Sequence, residues 1–241
     1  MKNQIVKYRD IILLTIGTML VFLSLCLLFY DRIELLKSNV FTEVEMERYR
    51  ERNANNTNND NNSTDDTNDV NDDEIDEIDE IDDDNEDALP KTQSESLKSK
   101  IAKEFIGYLE IKKINLKQGL VSKNSRYNKV KYNIQMLSLS DYPDKENGNV
   151  ILAAHSGTGY LAFFKNLYKL KNGDEAKITY KDDIYTYKIV NIYNVPKVGK
   201  VKVIRDTSKT CLTLITCTHN SKTEQTVYIL ELVSKTKVGG N

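Results

Sequence analysis

Thr210-Cys211-Leu212-Thr213-Leu214-Ile215-Thr216-Cys217 is the stretch on which the reading of this chain turns. Its alternation has period two, which puts Cys211, Thr213, Ile215 and Cys217 on one face of a strand and Leu212, Leu214 and Thr216 on the other. A thiol therefore closes a strand at the mouth of a sheet. Upstream, Asn149-Val150-Ile151-Leu152-Ala153-Ala154-His155 has the same apolar character and ends on an imidazole, and the Ser156-Gly157-Thr158-Gly159 behind it is turn chemistry. Two strands thus end in the two groups that thiol catalysis needs.

A cysteine with an ordinary pKa of about 8.5 is mostly protonated near neutrality, so a nucleophilic thiol needs a neighbouring base or cation. Imidazole supplies one, and can also give a proton to the amine that leaves when an amide breaks. The chain holds 2 histidines, His155 and His219. His219 follows Cys217 so closely that a turn would carry it off, which leaves His155 as the candidate partner. The competing reading of a strand cysteine is a small buried hydrophobe, and it suits Cys211, which lies between Thr210 and Leu212. The two cysteines of this strand cannot pair. Six residues of strand separate their Cα atoms by roughly 20 Å, whereas a disulfide needs less than about 7 Å.

Other apolar, alternating runs lie near Gly107–Ile111, Leu116–Val121, Ile134–Leu139, Ala176–Tyr180, Ile184–Val195, Val201–Ile204 and Thr226–Val233. Ser94 to Lys103 has a helical pattern with Leu97 and Ile101 four apart, and Leu161, Phe164, Leu167 and Tyr168 recur at helical spacing within Tyr160 to Leu170. Many short strands with one or two short helices predict a mainly β fold, a closed or nearly closed barrel that leaves few exposed edges.

The complete pentapeptide Thr213-Leu214-Ile215-Thr216-Cys217, preceded by a strand ending in His155, resembles the TLxTC signature of the sortases, membrane-anchored cysteine transpeptidases of Gram-positive bacteria. Phe105 to Ile114 is similar to that family's opening strand, with Lys112 in place of its usual proline, and Leu170-Lys171-Asn172-Gly173-Asp174 is similar to its L-K-x-G-D turn. The resemblance covers roughly Phe105 to Val233. It implies an eight-stranded barrel with Cys217 as nucleophile and His155 as general acid. Thr216 would contribute to the oxyanion hole or to the scaffold, and Thr213 would support the pocket. It also implies an arginine at the start of the strand after the cysteine, and here no arginine follows Cys217. The counterpart falls at Gln225 or Thr226; Gln225 can donate a neutral hydrogen bond, and Arg205 is a further candidate, reaching in from the loop before the nucleophile strand.

The implied reaction attacks the threonine carbonyl of an LPxTG-like sorting signal on a surface protein, then passes the acyl group to an amine of a peptidoglycan precursor or a pilin. A silent domain that binds sorting signals or envelope proteins is the alternative, suggested by the absent arginine. The interval from Val195 to Thr210 is short for the extra helix of class B sortases, and the lead-in lacks the lid motif of class C. A housekeeping or class D-like anchoring role is therefore preferred, with the class left open to a B-like one. No cofactor is expected. Calcium is the one candidate the resemblance names, through Asp141, Asp144 and Glu146 with Asp206, but calcium takes about six to eight oxygens and three acids in an exposed turn are read as solvated.

Ahead of this domain, Ile11 to Tyr30 is an uncharged apolar run of the length that spans a bilayer. Lys2, Lys7 and Arg9 precede it, so the N-terminus is expected in the cytoplasm and the catalytic domain outside, on a single-pass anchor. The run is long for a cleaved signal peptide, and Leu27-Leu28-Phe29-Tyr30 offers no small-residue cleavage site. Cys26 falls inside it as a packing residue. Residues 1–38 are read as a cytoplasmic stub and anchor, 39–93 as a disordered Asn/Asp-rich linker, and 94–241 as the catalytic barrel. The linker has no basic residue between Arg52 and Lys91, and Asp60 to Asp87 holds 16 of the chain's 36 acids, including the triplets Asp73-Glu74-Ile75 to Asp79-Glu80-Ile81. Its end, Leu89-Pro90-Lys91-Thr92-Gln93, is a near copy of an LPxTG signal; a pseudosubstrate lid is the sharp reading and a proline-marked linker end the favoured one. The net charge of −2 conceals an asymmetry, because Ile101 to Asn241 holds 23 Lys+Arg against 12 Asp+Glu, a difference of +11. For a domain expected outside the membrane, no nucleic-acid partner is expected for that basic surface.

Overall fold

The computed structural model describes residues 12, 14–25, 44–51, 91–159, 161–198 and 201–239. The chain divides into two compact units, Met1–Val44 and Glu45–Asn241. In the first, residues 12 and 14–25 are helical and exposed. Among the described residues no helix is long and apolar enough to cross a membrane, and the remainder of the expected anchor lies outside them.

The second unit is a sheet curled into a nearly closed barrel. Its strands are β1 (Phe105–Ile111), β2 (Leu116–Val121), β3 (Gln135–Met136), β4 (Asn149–Ala153), β5 (Glu175–Tyr180), β6 (Asp183–Pro196), β7 (Cys211–Cys217) and β8 (Glu224–Lys237). They lie in the order β2-β1-β5-β6-β8-β7-β4-β3. All neighbours run antiparallel except β4 and β7. The two fourteen-residue strands, β6 and β8, pair along their whole length with irregularities at Thr186/Tyr187 and Ile189/Asn191. Such bulges increase local twist and help the sheet to curl. At the gap between β2 and β3 the amide of Asn133 bridges the seam, accepting from Gln118 at 2.9 Å and donating to the Gly119 carbonyl at 2.9 Å.

Alternation fills the interior. Leu109, Ile111, Leu152, Ile178, Tyr187, Leu212, Leu214 and Leu230 are all wholly buried in one cluster, with Phe164 and Leu167 closing an end. On the outer face of β4, β7 and β8 a second cluster joins Ile151, Ile215, Val227 and Ile229, with Val201 and Val203 packed on it from the β6–β7 loop. This outer cluster floors the surface toward which Cys217 is carried.

A third cluster lies behind β1. There α1 (44–51) and α2 (Lys91–Lys103) contribute Tyr49, Ile101 and Ala102 against Phe105, Tyr108, Val121 and Tyr127. Tyr49 stacks edge-on to Tyr108 with ring centroids 5.6 Å apart; its hydroxyl donates to the Ile106 carbonyl at 2.6 Å and accepts from the Lys181 N–H at 3.0 Å. Lys181 heads the β5–β6 turn with φ 52°, a left-handed conformation uncommon for lysine. Its Nζ pairs with Asp144 at 2.8 Å, so both ends of the residue are tied. Gly119 makes room for the Phe105 ring, which an added Cβ would meet at 2.2 Å. Within the spacer expected over 39–93, residues 45–51 therefore belong to the barrel unit. Residues 52–90 lie outside the described residues, as do Leu89 and Pro90 of the near-copy signal; Lys91 to Gln93 begin α2.

Two of the expected strands, Leu116–Val121 and Cys211–Cys217, keep their boundaries. The run Ile134–Leu139 shortens to β3, and Val201–Ile204 is not a strand. The Tyr193 hydroxyl donates to the Lys202 carbonyl and accepts from the Ile204 N–H, both at 2.8 Å, taking the place of a strand partner. The helix expected across Tyr160 to Leu170 reduces to turns and a 3₁₀ segment, Leu167–Lys169, because only Phe164 and Leu167 are needed to plug the barrel end.

Candidate active site

The parallel register of β4 and β7 runs from Asn149 opposite Cys211 to Ala153 opposite Ile215. Two more residues on each strand bring His155 level with Cys217. Three bonds hold that extension beyond the end of β4. The Ala154 N–H donates to the Ile215 carbonyl at 3.3 Å, Thr216 Oγ1 to the Ala154 carbonyl at 2.8 Å, and Ser156 Oγ to the Cys217 carbonyl at 2.9 Å. Both neighbours of His155 are thus tied to β7. Ile151 and Ile215 lie in the outer cluster, so alternation carries His155 and Cys217 along that same face. Both are half-buried, and no hydrogen bond joins the imidazole to Sγ.

On the other side, Cys217 is the antiparallel partner of Gln225 on β8. Directly opposed residues share a face, and Val227 and Ile229, two and four positions on, are in the outer cluster. Gln225 is half-buried, and no described residue hydrogen-bonds its carboxamide. With neighbouring strands about 4.8 Å apart, imidazole, thiol and carboxamide stand side by side on three adjacent strands. The residue facing the thiol from β8 is neutral.

Thr226 faces away from this row. It is buried, its Oγ1 donating to Asn194 at 3.0 Å and sharing a hydrogen bond with Thr218 at 2.9 Å. Thr216 is buried and its hydroxyl is committed to Ala154, the position of a scaffold residue. Thr213 is likewise engaged, with Asn149 Oδ1 at 2.9 Å. Arg205 is placed at the opposite end of β7. Its guanidinium donates to the carbonyls of Asp206, Lys209 and Asn147, beside Cys211. The β6–β7 loop delivers the chain to the start of β7, and the strand then carries Cys217 roughly 20 Å away. The structure therefore does not bring Arg205 beside Cys217. Cys211 is buried, its Sγ turned to the Lys209 carbonyl at 3.5 Å, and burial pushes its thiol pKa up, as for an inert cysteine.

Among the described residues no three His, Cys, Asp or Glu side chains gather as a metal site. Asp141 is held below the usual carboxylate range chiefly by its hydrogen bond from Lys145, and by a second from the Asn149 N–H. Asp144 is taken by Lys181, and Asp206 accepts from Ser208. The sequence reading missed two residues here. Ser156 figured only as a turn former, although it directly follows the candidate histidine. His219, set aside as misaligned, is exposed and stacks on Tyr168 with ring centroids 4.0 Å apart and an interplanar angle of 8°.

A family model described as the sortase domain matches residues 109–233, more than half of the chain. The chain belongs to the sortase family. That assignment fits the nearly closed eight-stranded barrel and a family whose members are in general cysteine transpeptidases. The chain is similar to solved structures of Listeria monocytogenes sortase A (21% identity, TM-score 0.48, covering 56% of this chain and 91% of that one). It is also similar to a Clostridium perfringens sortase D5 transpeptidase (26%, 0.46, 58% and 89%) and to Streptococcus pneumoniae sortase C (23%, 0.48, 54% and 69%). No curated protein matches this sortase.

Proposed function

We propose that this sortase is a cysteine transpeptidase that cleaves an LPxTG-like sorting signal and joins the released carbonyl to an amine. Cys217 Sγ attacks the threonine carbonyl, the C–N bond breaks, and His155 gives a proton to the departing amine, leaving a thioester on Cys217. An acceptor amine then attacks the thioester, passes a proton to His155, and Sγ leaves. Gln225 donates a hydrogen bond to the oxyanion at each tetrahedral stage. The acceptor is a peptidoglycan precursor or a pilin lysine, and the enzyme works outside the cell on a single-pass N-terminal anchor without a cofactor. One observation carries this reading: the β4–β7 register that brings His155 level with Cys217, tied by Ser156 and Thr216.

A second reading is favoured by the neutral residue opposite the thiol. In it the barrel binds sorting signals with little or no turnover. Incubating the full chain with a library of LPxTG-like peptides and amine acceptors separates the two. An acyl adduct on Cys217 and an amine-linked product support the transpeptidase; peptide binding without adduct supports the silent domain. A product formed only with water, indifferent to added amine, would make the enzyme a hydrolase.

A further inference from the structure

A chain of contacts runs from Cys217 and His155 through the β4–β5 connection to the turn after β7. The Cys217 carbonyl accepts from Ser156 Oγ, next to His155. The His155 carbonyl accepts from the Phe164 N–H at 2.9 Å, and the Phe164 carbonyl from the Leu167 N–H at 3.1 Å. Phe164 and Leu167 are wholly buried, so this part of the β4–β5 connection is fixed to the barrel interior. Tyr168 follows, half exposed. Its ring meets the imidazole of His219, which the chain reaches from Cys217 through Thr218 alone.

The loops that carry the two reactive groups are therefore joined twice: by Ser156 on one side and by a ring stack on the other. The stack is nearly parallel and close. Lys169 Nζ, from the neighbouring residue, also lies 5.6 Å from the Tyr168 ring centroid. At the other end of its turn, Thr218 is fastened to β8 by its N–H on the Glu224 carbonyl at 3.0 Å and by its hydroxyl on Thr226. His219 thus projects from an anchored base rather than from a free loop tip.

From this we infer that His219 and Tyr168 are positioning residues: their stack clamps the β7–β8 turn to the β4–β5 connection and holds Cys217 and His155 in register for acyl transfer. His219 exchanges no proton with the substrate. The inference rests on the transpeptidase reading of Cys217, and it predicts that ring overlap, not imidazole chemistry, is what matters at position 219.

The test uses the full chain and four variants: His219→Ala, Tyr168→Ala, the double variant, and His219→Phe. Two readouts are taken, kcat and KM for peptide-to-amine transfer, and the rate at which iodoacetamide alkylates Cys217, which needs no sorting signal. An aromatic pair shifts a conformational balance by roughly twofold to tenfold. Each alanine variant should lower kcat about threefold to tenfold with KM little changed, and slow alkylation in parallel. The double variant should match the singles, since both break one contact, and His219→Phe should restore most of the loss. Alanine variants within about 1.5-fold of the parent, losses that multiply in the double variant, or a phenylalanine variant as slow as the alanine one would each overturn the clamp. A parent chain that transfers no peptide, yet whose alkylation follows this pattern, would instead remove the transpeptidase reading and leave the clamp standing.

Discussion

Gln225 stands opposite Cys217, where the resemblance to the family implies an arginine, and replacing it tests the proposal that a neutral donor serves the oxyanion. As the direct β-ladder partner of Cys217, it has its Cβ about 4.5–5.5 Å from that of the cysteine, within reach of a carbonyl bound to Sγ. Removing one oxyanion donor typically costs about 10²–10³ in kcat. Gln225 is half-buried, so water can partly replace the lost carboxamide, and Gln225→Ala should fall near the lower end, about 10²-fold. Gln225→Arg should move the other way. A hydrogen bond from a charged donor is worth about 1–1.5 kcal/mol more than one from a neutral donor, which corresponds to about fivefold to tenfold in kcat. Steady-state kinetics with a peptide that the parent chain acylates would resolve both. An interaction made only with the oxyanion lowers kcat and kcat/KM together and leaves KM alone. If Gln225→Ala stays within twofold of the parent, or if its whole effect lies in KM, the carboxamide binds substrate or nothing, and the oxyanion is stabilised from elsewhere.

Three further predictions concern the scaffold. Tyr49→Phe should lose about 1–3 kcal/mol, because the Ile106 carbonyl and the Lys181 N–H both lose a buried partner, and Tyr49→Ala about 3–5 kcal/mol; urea unfolding of the chain measures both. Parent-like midpoints would mean that α1 is not part of the folded barrel. Tyr187→Phe should raise stability by about 1 kcal/mol, since that hydroxyl is buried without a partner and burial holds its phenol well above the ordinary range; a loss of similar size would show that the hydroxyl is bonded after all. Asp183 accepts from Lys235 and Lys237, both at 2.9 Å, and its pKa is lowered, first by the Lys235 bond. Its contribution is complete above the unfolded carboxylate pKa of about 4 and is lost as pH falls through the lower folded value. Melting temperature should therefore drop less below pH 4 in Asp183→Asn than in the parent, and equal drops would remove Asp183 from the acid response.

The parts of this molecule that could be read from sequence are those where one local pattern decides the outcome. Cys211 to Cys217 alternates without interruption, so its faces and the position of its last residue follow from period two, whereas its burial does not, because Cys211 to Thr216 are covered on both faces. The β4–β7 pairing is different. Nothing in Asn149–His155 states that it runs parallel beside β7, yet that register alone sets His155 level with Cys217. The same holds for Gln225 and Thr226, adjacent in sequence and equally eligible by spacing. The ladder separates them, giving Gln225 the thiol's face and leaving Thr226 bonded to Asn194 behind it. Arg205 had the right charge, but charge carries no information about which end of a strand a loop meets.

Tyr49 and His219 mark a second limit, because each is a ring in polar surroundings that finds its partner far along the chain. Composition makes the stretch around Tyr49 a spacer, yet Tyr49 is buried with two hydrogen bonds and Met46 packs on the same cluster. For His219 the proximity to Cys217 is plain in the sequence, but nothing there states which ring it meets. Ring contact with Tyr168 gives it a mechanical use instead. Substitution tells these uses apart in a way that sequence cannot. Phenylalanine at position 219 keeps a flat ring and abolishes proton exchange, so retained turnover would leave the β4–β7 register, with its ties at Ser156 and Thr216, as the feature that selects His155 over His219.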